Sequence, residues 1–216
     1  MIESTKQTIL YPKEIYATLC KRHGKENQDK LAKAKVAIAG LGGLGSNIAM
    51  QLARIGVCHL HLIDFDQVDI SNLNRQHYFI RHLGKAKTVA LAEQLKEVNP
   101  YINLTLDCLK VTEDNIEALF KEDDYICEAF DVPENKAMLV NKILEIYPDK
   151  YLVSGIGMAG FGHSNDIKTR KLNGHFYICG DETRGLDTHH SLMAPRVTIC
   201  ASHQSNMITQ LIIEND

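Results

Sequence analysis

VAIAGLGGLGSN runs from Val36 to Asn47, and its reading decides the fold. Four apolar residues, Val36 to Ala39, lead into Gly40, Gly42, Gly43 and Gly45. Glycines at this spacing let the chain turn sharply from strand to helix and bring its backbone close to a phosphate. A second apolar run, His59 to Ile63, ends at Asp64, where a carboxylate can hold a ribose. SNLNRQ (Ser71 to Gln76) and GKAK (Gly84 to Lys87) then add Asn72, Asn74, Arg75 and Lys87, which a plain dinucleotide site does not need. Asp131 follows a further apolar run, in EAFD. A carboxylate at that edge of a parallel sheet repels a pyrophosphate unless a cation such as Mg2+ stands between them. The combination points to a magnesium triphosphate rather than to hydride transfer.

Outward from this stretch, strand-like and helix-like patterns alternate. Val36–Ala39, His59–Ile63, Ile102–Leu109, Asp124–Cys127 and Tyr151–Ser154 read as strands. Between them, Leu44–Ile55, Ala86–Val98, a segment capped by Thr112 and a segment opening at Pro133 read as helices. In Ala86–Val98 the residues Val89, Leu91, Ala92, Leu95 and Val98 share one helical face. Such alternation predicts an α/β fold, a Rossmann-like, mostly parallel sheet flanked by helices. After residue 155 the texture changes. Ile167–Lys171 and His175–Ile178 predict a short antiparallel extension, Gly180–Ser191 an exposed loop, and Pro195 the start of a C-terminal helix. We expect one domain over residues 1–216: a helical arm (1–30) that packs on a partner subunit, a nucleotide-binding part (31–155), and a final part (156–216).

The chain has 216 residues and a formal net charge of −3, which argues against general nucleic-acid binding. No apolar run approaches the roughly 20 residues that span a membrane, and the N-terminus lacks the pattern of a signal peptide. A cytoplasmic protein is the expectation. Six cysteines are scattered without a C-x-x-C pair, so no structural zinc site is expected. Cys58, Cys108 and Cys127 read as small core residues, and Cys200 as structural.

The order GLGGLGSN, LIDFDQVDISNLNRQ, GKAK, NP and EAFDVPENK resembles the ThiF/MoeB family of ubiquitin-activating-type adenylating enzymes. The length, Asn99-Pro100-Tyr101, SGIGMAGFG (Ser154 to Gly162), Tyr177 to Asp181 and Met193 to Val197 resemble its short ThiF form. That resemblance implies adenylation, with ATP and Mg2+, of the C-terminal glycine of a small β-grasp sulfur carrier (ThiS-like, ending in Gly-Gly) in thiamine biosynthesis. It implies a homodimer, with no membrane or nucleic-acid partner. By the same resemblance Gly40, Gly42, Gly43 and Gly45 form the ATP loop and Asp64 holds the ribose. Asn72, Asn74 and Arg75 meet phosphates, Lys87 neutralises them, and Asp131 carries Mg2+. Arg22 is the candidate for insertion into the partner's nucleotide site. Longer relatives carry paired zinc cysteines and often a cysteine in the crossover loop. Asp181 to Arg196 holds none, so zinc is not carried over, and Cys179 is the candidate for a residual sulfur role. Arg170, Lys171 and Arg184 are candidates for docking an acidic carrier, and His189-His190 reads as a solvated pair. Alternatives are a molybdopterin-type carrier, a tRNA-bound carboxylate, an NAD-dependent oxidoreductase, or the inactive half of a heterodimer.

Overall fold

Seven strands form one sheet in the computed structural model, which describes residues 10–185 and 191–215. In chain order they are β1 (Lys35–Ala39), β2 (His59–Ile63), β3 (Asn103–Asp107), β4 (Tyr125–Glu128), β5 (Tyr151–Ile156), β6 (Lys168–Asn173) and β7 (Phe176–Gly180). The spatial order is β3-β2-β1-β4-β5-β7-β6. All neighbours are parallel except β6, which runs antiparallel to β7 at one edge. The short antiparallel extension expected after residue 155 is β6 paired with β7, and it joins the sheet through the parallel pairing of β7 with β5.

Residue alternation along the inner strands explains the layers. Val36 and Ile38 of β1, Leu60 and Leu62 of β2, Cys127 and Val153 point to one face. That face is covered by α3 (Gly43–Arg54), α4 (Lys87–Val98) and α7 (Ala194–Glu214). Ala37, Ala39, Ile63, Ile126 and Leu152 point to the other, under α5 (Glu113–Phe120) and α6 (Pro133–Ile146). Strands buried on both sides read as continuous apolar runs, as these do. The edge strands β3 and β6 are mostly exposed, as edges must be.

Several boundaries and placements differ from the sequence expectation. Strand β3 ends at Asp107, so Cys108 lies beyond it and is exposed, and Cys58 is only half-buried. Val89 is 44% exposed: α4 rests on the sheet through Ala90, Leu91 and Leu95, and Val89 falls off that stripe. The N-terminal arm forms α1 (Pro12–His23) and α2 (Lys25–Lys33). Helix α2 packs on its own chain rather than on a partner. Leu31 enters the core, Gln28 Nε2 donates to Gly56 O (3.2 Å) and Lys30 Nζ donates to Ile213 O (2.8 Å). Helix α1 buries no residue. His189 and His190, and residues 186–190 of the expected loop, lie outside the described residues. No helix among the described residues is long and apolar enough to cross a membrane.

A buried histidine ties the α5 face together. His61 Nδ1 meets Asp123 Oδ2 and His61 Nε2 meets Asp107 Oδ2, each at 2.8 Å. Burial disfavours the imidazolium, but the two carboxylates outweigh it and raise the histidine pKa above its ordinary value.

Candidate functional site

Because β1 has β2 on one side and β4 on the other, the chain leaves these strands in opposite directions and opens a crevice at their carboxyl ends. A cavity of about 980 Å3 occupies that crevice. Gly40, Gly42, Gly43, Asp64, Arg75, Lys87 and Asp131 all line it. Residues from Gly40 to Asp131 thus meet because the turns after β2, β1 and β4, which are neighbours in the sheet, end at one edge.

The glycine turn is held from several directions. Gly40 has φ +91°, and a Cβ there would lie 2.9 Å from Ala129 O, so only glycine fits. Leu41 N–H donates to Asp64 Oδ2 (2.6 Å), and the Tyr78 hydroxyl donates to Leu41 O (2.8 Å). Asp64 also accepts from Asp66 N–H (2.8 Å), which orients a buried carboxylate at the cavity wall. Gly42 is open: a Cβ there would meet nothing closer than Gln76 Nε2 at 3.8 Å. Gly43 opens helix α3, whose N-terminal dipole favours an anion.

The SNLNRQ segment is tied to that helix. Ser46 Oγ donates to Gly42 O (2.7 Å) and accepts from His77 N–H (2.9 Å), while Asn47 Nδ2 donates to Gly43 O (2.7 Å) and Arg75 O (3.3 Å). Arg75 Nη1 donates to Ser71 O (3.1 Å) and Asn74 Oδ1 (2.9 Å), which fixes its guanidinium over the turn. Lys87, on the first turn of α4, is 5% exposed, and its Nζ is 2.8 Å from Asp66 Oδ2. Asp131 is exposed and makes no hydrogen bond or ion pair with another described residue.

Some expected residues do not reach the cavity. Asn72 accepts Asp69 N–H (2.9 Å) and caps its own turn. Asn74 donates to Leu192 O (3.1 Å) and braces Arg75. Gly45 faces the strand, where a Cβ would lie 1.8 Å from Gly40 O, so it serves close helix–strand packing. Arg22 is exposed on the last turn of α1 and is not part of its own chain's cavity. Arg170 forms an ion pair with Glu182 instead of standing free.

Other groups at the site are not among the nucleotide-site residues expected from sequence. Asp66 pairs with Lys87 and lines the cavity. Glu128 is fully buried at the end of β4 and accepts from Phe130 N–H (2.7 Å), the Ser154 hydroxyl and Lys136 Nζ. A charged residue closing an apolar strand was the available signal. Buried Asp181, at the end of β7, takes Arg196 and Arg184 as ion-pair partners. Burial works to raise its pKa, but hydrogen bonds from Thr183 and Arg184 N–H and from Arg196 bring it below the ordinary value. Arg184 thereby reaches the cavity wall.

The thiols near the sheet are poor nucleophiles. Burial pushes Cys179 up to about 11 and Cys200 up to about 12, and raises Cys127 as well. The sulfur role considered for Cys179 finds no accessible thiolate here. No group of three or more His, Cys, Asp or Glu among the described residues could hold a metal by itself.

The parallel sheet with its cavity at the switch point defines a Rossmann-like α/β domain of the nucleotide-binding type. The particular lineage is also plain: residues 16–216 match the ThiF family, and the chain belongs to it. Over 138 residues it is 35% identical to the tRNA threonylcarbamoyladenosine dehydratase of Bacillus subtilis, covering 63% of this chain and 54% of the relative. Over 109 residues it is 35% identical to the probable adenylyltransferase/sulfurtransferase MoeZ of Mycobacterium tuberculosis, covering 50% of this chain and 28% of the relative. The chain spans about half the length, or less, of the curated relatives it matches. Among solved structures, Escherichia coli TcdA, a tRNA N6-threonylcarbamoyladenosine dehydratase in complex with ATP, superposes with a TM-score of 0.83 at 22% identity. That match covers 95% of this chain and 97% of the other, and it speaks to the fold.

Proposed function

We propose that this protein is an ATP-dependent adenylyltransferase that activates the C-terminal glycine carboxylate of a ThiS-like sulfur carrier. The supporting observation is that Arg75, Lys87 and Asp131 line one cavity beside the open face of Gly42. The residues fit MgATP. The Gly42 cradle leaves room for a phosphate against backbone, and Asp64 stands where a ribose would lie. Asp131 has a carboxylate without a partner among the described residues. Mg2+ binds through one or two carboxylates plus substrate phosphates, so Asp131 alone suffices on the protein side. When bound, the ion would neutralise charge on the triphosphate and on the departing pyrophosphate.

In this reaction the carrier carboxylate attacks the α-phosphorus, an acyl–oxygen–phosphorus bond forms, the bond to the β-phosphate breaks, and pyrophosphate leaves. The protein supplies no nucleophile. Arg75 and Lys87 hold the phosphates in line and offset the charge that develops on the leaving group. Lys87 can exchange Asp66 for phosphate at low cost, since the Asp66 side chain is 48% exposed and rehydrates readily. Asn74 acts through Arg75. Helix α1, none of whose residues is fully buried on its own chain, carries Arg22 and is suited to a homodimer in which Arg22 reaches the neighbour's phosphates. Nicotinamide chemistry leaves Arg75, Lys87 and Asp131 without a task, and an inactive heterodimer half has no need to keep all three.

A second reading, in which the activated carboxylate is carried by tRNA, is favoured by the dehydratase relatives. ATP–pyrophosphate exchange separates the two. Exchange driven by a ThiS-like carrier supports the proposal, and exchange driven by a molybdopterin-type carrier redirects it. Exchange driven by threonylcarbamoyl-tRNA alone replaces it.

A further inference from the structure

At about 980 Å3 the cavity lies at the upper end of the roughly 300–1,000 Å3 range of ligand sites. It extends beyond the glycine turn, past β4, to Val140 and Asn141 of α6, Ser154 of β5, and Phe176 and Ile178 of β7. These walls are mainly apolar. Besides Arg75 and Lys87, the cavity is lined by the cations Lys110, Arg184 and Lys136. Arg184 is already held between Asp166 and Asp181, and Lys136 is the one on α6, on its first turns, among these apolar walls. Its side chain is 21% exposed, and one of its three N–H donors goes to Glu128. Glu128 is itself fully buried and takes two further donors, from Phe130 N–H and Ser154. Glu128 therefore anchors the Lys136 ammonium at the cavity wall, with donors to spare.

The proposed reaction brings a carboxylate toward a triphosphate, anion to anion. That approach needs a cation other than the two that grip the phosphates. We infer that Lys136 receives the acceptor carboxylate through its remaining donors, and that the half of the cavity between α6, β5 and β7 binds the acceptor's tail. This rests on the adenylyltransferase reading above. No proton is transferred in the step: the carboxylate attacks as an anion, and pyrophosphate leaves as one. The acceptor is a protein tail ending in glycine, slim and uncharged along its sides, as the apolar walls of Val140, Phe176 and Ile178 require.

The test uses the intact protein and three variants: Lys136→Gln, Lys136→Arg, and Lys136→Gln combined with Glu128→Gln. MgATP affinity is measured by titration, and the carrier KM and kcat by pyrophosphate exchange with a carrier ending in Gly-Gly. Lys136→Gln raises the carrier KM about 10- to 100-fold, the range of one charge-assisted hydrogen bond, and leaves MgATP affinity unchanged. Lys136→Arg retains most of the carrier affinity. The double variant removes the stranded Glu128 charge and so recovers thermal stability, but not the carrier KM. A folded double variant with the wild-type carrier KM overturns the inference about Lys136 and leaves the adenylyltransferase reading intact. Wild-type protein that binds MgATP yet supports no exchange with a carrier overturns both, and exchange with modified tRNA alone overturns the acceptor class.

Discussion

Gly45 and Gly42 stand three positions apart in one turn, and alanine is expected to harm them in opposite ways. At Gly45 the added Cβ would lie 1.8 Å from Gly40 O and 3.0 Å from Ile38 Cγ2. Real Cβ contacts stop near 3.0 Å, so α3 must retreat from β1 by at least 1.2 Å (3.0 Å less 1.8 Å). Gly40 O is backbone and a Cβ is fixed rigidly to its own backbone, so no rotamer change relieves the clash. Buried Ile48 and Leu52 of α3, and α7 packed against that helix, move with it. Overpacking of this kind costs about 1–3 kcal/mol, and a backbone clash belongs at the upper end. For a chain of this size about 3 kcal/mol lowers Tm by roughly 6–12 °C. At Gly42 the nearest atom to an added Cβ is 3.8 Å away, so Gly42→Ala costs about 0.5 kcal/mol or less. The methyl group instead fills the space offered to a phosphate, and MgATP affinity falls about 10-fold or more. Calorimetry and nucleotide titration on both variants check this. Gly45→Ala melting like wild type refutes the packing argument; Gly42→Ala binding MgATP like wild type removes the phosphate from this turn.

Three further outcomes follow from the geometry. Asp131→Asn slows carrier-dependent exchange by about 10²–10³ while leaving Tm within experimental error, because the exposed carboxylate supports no other described group; an unchanged rate refutes its role. His61, whose pKa is raised in the folded state, adds stability that is complete below its unfolded pKa of about 6.5 and is lost as pH rises through the folded value. Denaturant titrations therefore show wild type losing its advantage over His61→Asn between neutral and alkaline pH, and a pH-independent difference contradicts the double carboxylate bridge. A thiol-alkylating agent at pH 8 modifies exposed Cys108 in the native protein and spares Cys127, Cys179 and Cys200, as mass spectrometry reads; rapid labelling of Cys179 would restore it as a sulfur-transfer candidate.

Sequence alone was enough for whatever depends on neighbours along the chain. Apolar runs such as Val36–Ala39 and His59–Ile63, each followed by a turn and a helical pattern, determined an α/β sheet. The polar SNLNRQ and GKAK segments and the EAFD run picked out Arg75, Lys87 and Asp131, all of which line the cavity. Tertiary structure decided what depends on partners distant in sequence. Whether Gly45 or Gly42 faces the cavity turns on which way a Cα–Cβ bond points once α3 rests on β1. Asn72 and Asn74 look like phosphate ligands in one dimension, yet Asn72 Oδ1 accepts within its own turn, Asn74 braces Arg75, and neither lines the cavity. Glu128 and Lys136 bound the segment EAFDVPENK and Ser154 opens SGIGMAGFG, but nothing along the chain pairs them, and only the pairing of β4 with β5 beside α6 makes them one network. Short-range rules give element types and turn chemistry, but a charge is buried only with a partner, and the fold chooses that partner.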